Sequence, residues 1–182
     1  TIILTAVLGM CTVLGIMKAN KFKLRVIDLQ EIKKALNLAI TKIRYTYEPL
    51  PELFKEISKD LNENMANIFI KAHTFMETLN AGQAWEKAID ESNNNFTNED
   101  INIIKGLSKL LGKTDLEGQL MQIELTTKLV DEQIIEATNL QNKNTKLYKT
   151  LGATAGLAIM IIFIYNYIKI KDRKEAIINI KN

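Results

Sequence analysis

One cysteine, one histidine and two prolines stand among 182 residues, and each scarcity removes a possibility. Cys11 has no second thiol with which to form an intrachain disulfide. His73 is alone, which excludes a multi-histidine metal site. With Cys11 inside an apolar run, neither a serine–histidine–carboxylate nor a cysteine–histidine arrangement can be assembled. No catalytic residue, metal ligand or cofactor site is therefore expected, and His73 reads as a packed or surface histidine. The prolines, Pro49 and Pro51, mark a single break point for helices. Leu, Lys, Glu and Ala are plentiful, so the composition predicts an all-α protein.

The net charge of +3 is unevenly placed. Residues 18–149 hold 19 basic and 19 acidic side chains. Seven of the basic ones crowd the two ends, at Lys18, Lys21, Lys23 and Arg25 and at Lys143, Lys146 and Lys149. The remainder, 26–142, carries 12 basic against 19 acidic residues, a net of −7. A nucleic-acid footprint would put a basic patch on the exposed domain, the reverse of this pattern, so that partner class is discounted.

The apolar spacing divides the chain into four parts. Residues 1–17 are uncharged and mostly apolar, at the short end of what spans a bilayer, and read as an anchor helix rather than a cleavable signal. Residues 18–149 form the central helical domain. Its first helix carries Leu29, Ile32, Leu36, Ala39, Ile43 and Tyr47 on one face and is ended by the prolines. Shorter helices follow, with Leu53, Phe54, Ile57 and Leu61, then Met65, Ile68, Ala72, Phe75 and Leu79. Gly82 is read as a tight turn into a helix holding Trp85, Ala88 and Ile89. Phe96 and Ile101 are placed as a hydrophobic staple around a Thr97 cap. The last stripe, Leu116, Leu120, Ile123, Thr127, Val130, Ile134, Ala137 and Gln141, reads as bundle core. Residues 150–168 are uncharged and long enough to span, with Tyr148, Tyr165 and Tyr167 near the ends and Gly152-x-x-x-Gly156 as candidate transmembrane packing. Residues 169–182 are a short basic tail. Seven basic flanks on the domain against five in the tail favour a cytoplasmic central domain.

The most informative stretch is LLGKTDLEGQ, Leu110 to Gln119. Ile101, Ile104, Leu107, Leu110 and Leu111 predict a helix up to Gly112, which suits a left-handed cap. Thr114 and Glu117 have capping-box spacing, so a second helix is expected to begin at once. Gly112, Thr114, Asp115, Glu117, Gly118 and Gln119 are thus assigned as a structural corner between helices. Although Gly112-Lys113-Thr114 spells part of a phosphate-binding loop, the first glycine of that motif is Leu107 here and no strand precedes it.

Several of these features recur together in one family. LLGKTDLEGQL, the anchor helix, Pro49-Leu50-Pro51-Glu52, Gly82-x-Ala84-Trp85-x-x-Ala88, and the run from Lys143-Asn144 through Lys146-Leu147-Tyr148 to Leu151-Gly152 resemble stage III sporulation protein AB of endospore-forming bacteria. The resemblance extends to about Phe163, and the tail after Ile168 is longer than the family pattern. It implies a six-helix bundle similar to the cytoplasmic domain of the type II secretion platform protein. It also implies a non-enzymatic scaffold in a channel complex between mother cell and forespore, with a secretion-type ATPase and other channel components as partners. A homo-oligomer is compatible with it. The competing expectation is a two-span sensory protein with an external ligand-binding bundle, which would need an output domain that the tail is too short to be. Acidic residues in the connecting part, Glu86, Asp90, Glu91, Glu99 and Asp100 with Glu52, Glu56 and Asp60 before them, are the candidate surface for a basic partner. The alternative is that they merely solvate exposed helix faces.

Overall fold

The computed structural model describes residues 2–46, 48–113 and 115–181. Six α-helices and one 3₁₀ turn, with no strand, make up the described residues. They are α1 (Ile2–Thr46), α2 (Leu50–Ser58), α3 (Glu63–Phe75), α4 (Ala81–Asp90), α5 (Asn98–Lys105), the 3₁₀ turn (Gly106–Lys109) and α6 (Leu116–Lys181). The chain divides into two units: a bundle, Lys23–Leu140, and a second unit made of the chain up to Phe22 and from Gln141 onward.

Local chemistry sets the helix boundaries. α1 stops ahead of the prolines, and Pro51 falls within the first turn of α2, where the missing amide costs no helical hydrogen bond. Asn62 and Asn80 cap α3 and α4, their side chains accepting from the amides of Met65 and Gln83. Thr97 caps α5 and forms a reciprocal box with Asp100. Phe96 and Ile101, on either side of that cap, both pack against the core.

The bundle core follows the predicted faces for α1 to α4. Leu29, Ile32, Leu36, Ala39 and Ile43 of α1 are buried, with Leu53, Phe54 and Ile57 of α2 and Met65, Ile68 and Ala72 of α3. Tyr47, expected on the α1 face, lies outside the described residues. Trp85 of α4 is the anchor: its ring lies 5.5 Å from Phe54 and 5.2 Å from Phe69, and Phe54 meets Phe69 edge-on at 5.4 Å. The Trp85 Nε1 donates to the Ile104 carbonyl at 2.9 Å, so the indole is buried without stranding its N–H.

Three expectations are revised. Gly82 is not a turn but lies in the first turn of α4, where a Cβ would stand 2.3 Å from the Ser108 carbonyl oxygen. The need is for close approach of two backbones, not for unusual dihedrals. The helix expected to reach Gly112 ends at Lys105 and tightens into the 3₁₀ turn, so Leu107, Leu110 and Leu111 lie beyond it. Gly112 does adopt φ 69°, as its position predicted. At the start of α6 the described cap comes from Asp115, whose Oδ1 accepts from Gly118 N at 3.0 Å and whose carbonyl accepts from Gln119 N at 3.1 Å. Thr114, to which the capping box with Glu117 was assigned, lies outside the described residues. Finally, the buried line of α6 is Ile123, Thr126, Val130, Gln133 and Ala137, leaving Leu116 38% exposed and Ile134 only half-buried. Both polar side chains are satisfied: Thr126 Oγ1 donates to the Gln122 carbonyl one turn back in α6, and Gln133 accepts from Arg25 of α1.

The second unit is helical at both ends of the chain, with Phe22 stacked on Tyr148 at 6.0 Å between ring centroids. Among the described residues no helix is long and apolar enough to cross a membrane, so the spans expected at 1–17 and 150–168 find no support there. The described part of 150–168 mixes apolar side chains with Tyr165, Asn166 and Tyr167, and Gly152 lies outside the described side chains. Its companion Gly156 is buried.

Three glycines should respond to substitution in three ways. Gly82→Ala forces Cβ onto a backbone oxygen and should cost about 1–3 kcal/mol. Gly112→Val combines positive φ with a β-branched side chain and should cost roughly 1–2 kcal/mol or more. Gly106→Ala meets nothing within 4 Å at φ −54° and should leave stability unchanged or raise it by about 0.4–1 kcal/mol. Thermal melts of the three variants check the ranking.

Candidate functional site

Arg25 stands one helical turn before Leu29, on the face that α1 buries, and it is 7% exposed. Its guanidinium meets Asp100, which is 0% exposed, in a forked arrangement. Nε donates to Oδ2 at 2.8 Å and Nη2 to Oδ1 at 2.9 Å. Nη2 also donates to Gln133 Oε1 at 3.0 Å, and Nη1 lies 3.9 Å from Glu136 Oε1. Asp100 is at the same time the third residue of α5 and accepts from the Thr97 amide at 2.8 Å. One carboxylate thus closes the capping box of α5 and neutralises a cation from α1, while α6 supplies the remaining acceptor.

Beside this pair Asp28, 2% exposed, accepts from both the backbone amide and the side-chain nitrogen of Asn95, at 2.9 and 2.8 Å. The loop before α5 is therefore held to α1 by a second buried carboxylate. Burial pushes the Asp100 carboxyl upward, but the Arg25 hydrogen bond and those of Thr97 outweigh it, and the group is held below its usual range. The hydrogen bond to Asp100 raises Arg25 against the opposing effect of burial. The donors and acceptors here are committed to one another. What the cluster does chemically is orient three helices. Among the described residues no group of three or more His, Cys, Asp or Glu is arranged to hold a metal.

Two predicted assignments are corrected by this geometry. Asp100 is not part of an acidic partner surface, because it is fully buried and paired. Arg25 is not an accessible flanking cation for the same reason. The signal that would have found them is positional. Arg25 and Asp28 fall on the Leu29–Ile32 face, Asp100 stands one turn before Ile104, and Gln133 lies between Val130 and Ala137. The remaining acidic candidates are exposed, but several are engaged. Ser108 Oγ donates to Glu86, Asp90 lies 2.6 Å from Lys105, and Glu91 lies 4.0 Å from Lys87. Glu99 is exposed and has no ion pair within 4.0 Å among the described residues. Glu56, earlier in the chain, is lowered by its hydrogen bond from Lys59. His73, half-buried, faces the Pro51 carbonyl at 3.0 Å through Nδ1, a packing role that joins α3 to α2. At the corner, Glu117 is exposed and Gly118 and Gln119 are half-buried.

Residues 1–164 match the family model described as stage III sporulation protein AB. Stage III sporulation protein AB of Bacillus subtilis (strain 168) is 24% identical over 142 residues, 74% of this chain and 81% of that protein. A solved structure of a stage III sporulation protein AB superposes with a TM-score of 0.60 at 20% identity, covering 66% of this chain and 98% of the other. At that identity the structural likeness speaks for the fold alone.

The ion pair generates a paired prediction. Arg25→Met leaves a buried carboxylate uncompensated and should cost about 3–5 kcal/mol. Arg25→Met with Asp100→Asn keeps a hydrogen-bonding residue at the α5 cap without the stranded charge, and should recover most of that loss. The Asp100 contribution is fully present above its unfolded value, about pH 4, and is lost as pH falls through the lower folded value. Denaturant melts between pH 2 and pH 7 should therefore show acid destabilisation that shrinks in the double variant.

Proposed function

We propose, from the premise that this chain belongs to the stage III sporulation protein AB family, that it serves endospore development as a non-enzymatic, membrane-anchored scaffold of a secretion-like channel complex between mother cell and forespore. The family is named for a stage of sporulation and not for a reaction. The observation that carries the reading is the reach of the family match, residues 1–164, which takes in the whole bundle and apolar sequence at both ends. Membrane attachment is supported by the uncharged stretches 1–17 and 150–168. It is further supported by Leu157, Ile161, Ile162, Phe163, Ile164, Ile168 and Ile170, each between 47% and 67% exposed. Such a run is costly in water, and a lipid bilayer is the cover that suits it. The bundle then faces the cytoplasm on the mother-cell side, where its basic flanks belong.

In this reading the bundle docks a secretion-type ATPase, alongside other channel components. Glu86 and Asp90 on α4 and Glu91 at its C-terminus are exposed, and the 26–142 region is acidic overall. Their pairing with exposed lysines is weak, so the face keeps its negative character for a basic partner.

Four measurements test the proposal. Deleting the gene for this protein from its endospore-forming host should abolish heat-resistant spores, and the full chain should stay with membranes through alkaline extraction. Normal sporulation or release into the soluble fraction would overturn it. In a Cys11→Ser background, a single cysteine at exposed Gln83 should react with an impermeant maleimide only after permeabilisation. Reversing Glu86, Asp90 and Glu91 to lysine should slow ATPase association, and raised salt on the native protein should mimic that loss. Binding unmoved by both would show that these carboxylates only solvate α4.

A further inference from the structure

The parts of α1 and α6 that lie outside the bundle are basic next to it, with no acid to balance them. No Asp or Glu occurs from Thr1 to Ile27 or from Ala137 to Lys171. Within the second unit, Lys18 and Lys21 of α1 and Lys143, Lys146 and Lys149 of α6 fall in these acid-free runs. Lys21, Lys143 and Lys146 are exposed, and none has an ion pair within 4.0 Å among the described residues. Lysines of the bundle differ: Lys33, Lys42, Lys59, Lys87 and Lys105 each stand within 4.0 Å of a carboxylate.

The stack of Phe22 on Tyr148, 6.0 Å between ring centroids, sets α1 and α6 at one level. Counted by helical rise from that stack, all five lysines fall within about 8 Å of it along the two helices. The uncharged stretches meet the same level. Residues 1–17 end immediately before Lys18, and residues 150–168 start immediately after Lys149. The lysines thus form a collar at the edge of both apolar runs, together with an aromatic pair of the kind that favours a membrane interface. Lys143 and Lys146, three apart on one helix, repel each other. Such a collar calls for anions, and neither helix supplies one near it.

We infer that this collar binds the headgroups of anionic phospholipids in the leaflet next to the bundle, and so selects such lipids around the chain. The inference rests on the membrane attachment proposed above. A headgroup phosphate is the anion that a bilayer presents at the edge of an apolar stretch, and a lysine reaches it while its stem lies along the helix. The far end of the 150–168 stretch does not match, because Lys169, Lys171, Arg173 and Lys174 are interleaved with Asp172 and Glu175. The selectivity therefore belongs to the bundle-side leaflet. An acidic protein segment would also suit lysines, but their place at the edge of both uncharged stretches favours the lipid.

Lipid retention by the full chain tests it. The chain is incorporated into vesicles of equal parts phosphatidylglycerol and phosphatidylcholine, extracted in mild detergent, and its retained lipids are counted by mass spectrometry. Phosphatidylglycerol should be preferred by roughly tenfold, and Lys21→Gln, Lys143→Gln and Lys146→Gln together should bring the two lipids close to parity. Raised salt during extraction should act in the same direction. A control with Lys55→Gln, Lys109→Gln and Lys128→Gln removes as much charge from exposed positions of the bundle and should leave the preference unchanged. Equal retention of the two lipids by the native chain would overturn the inference and leave the collar to an acidic protein segment. A preference that survives the collar variant, or falls equally in the control, would overturn it too. Incorporation into vesicles of phosphatidylcholine alone, read by resistance to alkaline extraction, separates this inference from the attachment it rests on. A chain that incorporates there without any lipid preference keeps its anchor and loses the collar's role, whereas one that incorporates into neither kind of vesicle loses both.

Discussion

Taking the Arg25 guanidinium out of water is affordable only if its partners stand at fixed positions, and that requirement organises one end of the bundle. Asp100 must be at the third position of α5, where it also accepts from the Thr97 amide. Gln133 must face inward from α6 to accept the second bond of Nη2. Asp28, one turn along α1, ties down the Asn95 loop that leads into α5. Such a pair adds little net stability over apolar packing, but a register in which it is broken strands a buried charge. The pair therefore discriminates against wrong arrangements of α1, α5 and α6 more than it strengthens the right one.

The other half of the core is held by shape. Trp85 sits among Phe54 and Phe69 and spends its N–H on the Ile104 carbonyl, which joins α4 to the end of α5. Gly82 lets α4 approach the Ser108 carbonyl more closely than any side chain would allow. Together these contacts account for the short α5 and its 3₁₀ continuation: the chain is drawn against α4 rather than left free to extend as a regular helix. The turn then closes through Gly112 with positive φ, and Asp115 starts α6. The block with the most specific family resemblance is thus a connection whose geometry is dictated by its neighbours on both sides.

On the bundle surface the arrangement of charge matters more than its amount. The acidic excess of the bundle survives folding on exposed α4 side chains, although lysines from α4 and α5 temper it. Family membership places the chain in sporulation, and the exposed α4 carboxylates are the feature on which the proposed docking rests.

Composition was enough to read the all-α class, and periodicity the helix order and most of the buried faces of α1 to α4, because burial there needs only apolar residues every three or four positions. Glycine and cap chemistry foretold the Thr97 cap and the positive φ of Gly112, since both depend on residues close in the chain. What sequence could not supply were pairings across large separations. Arg25 looks like one more flanking cation and Asp100 like one more surface acid until residues 75 positions apart meet. Gly82 looks like a turn until the Ser108 carbonyl arrives against it, and Gln133 looks like one more exposed helix residue until Arg25 meets it. Local propensity decided which segments became helices. Only the tertiary structure decided which polar groups turned inward, because a buried polar group is tolerated where its partner stands, and that partner came from elsewhere in the chain.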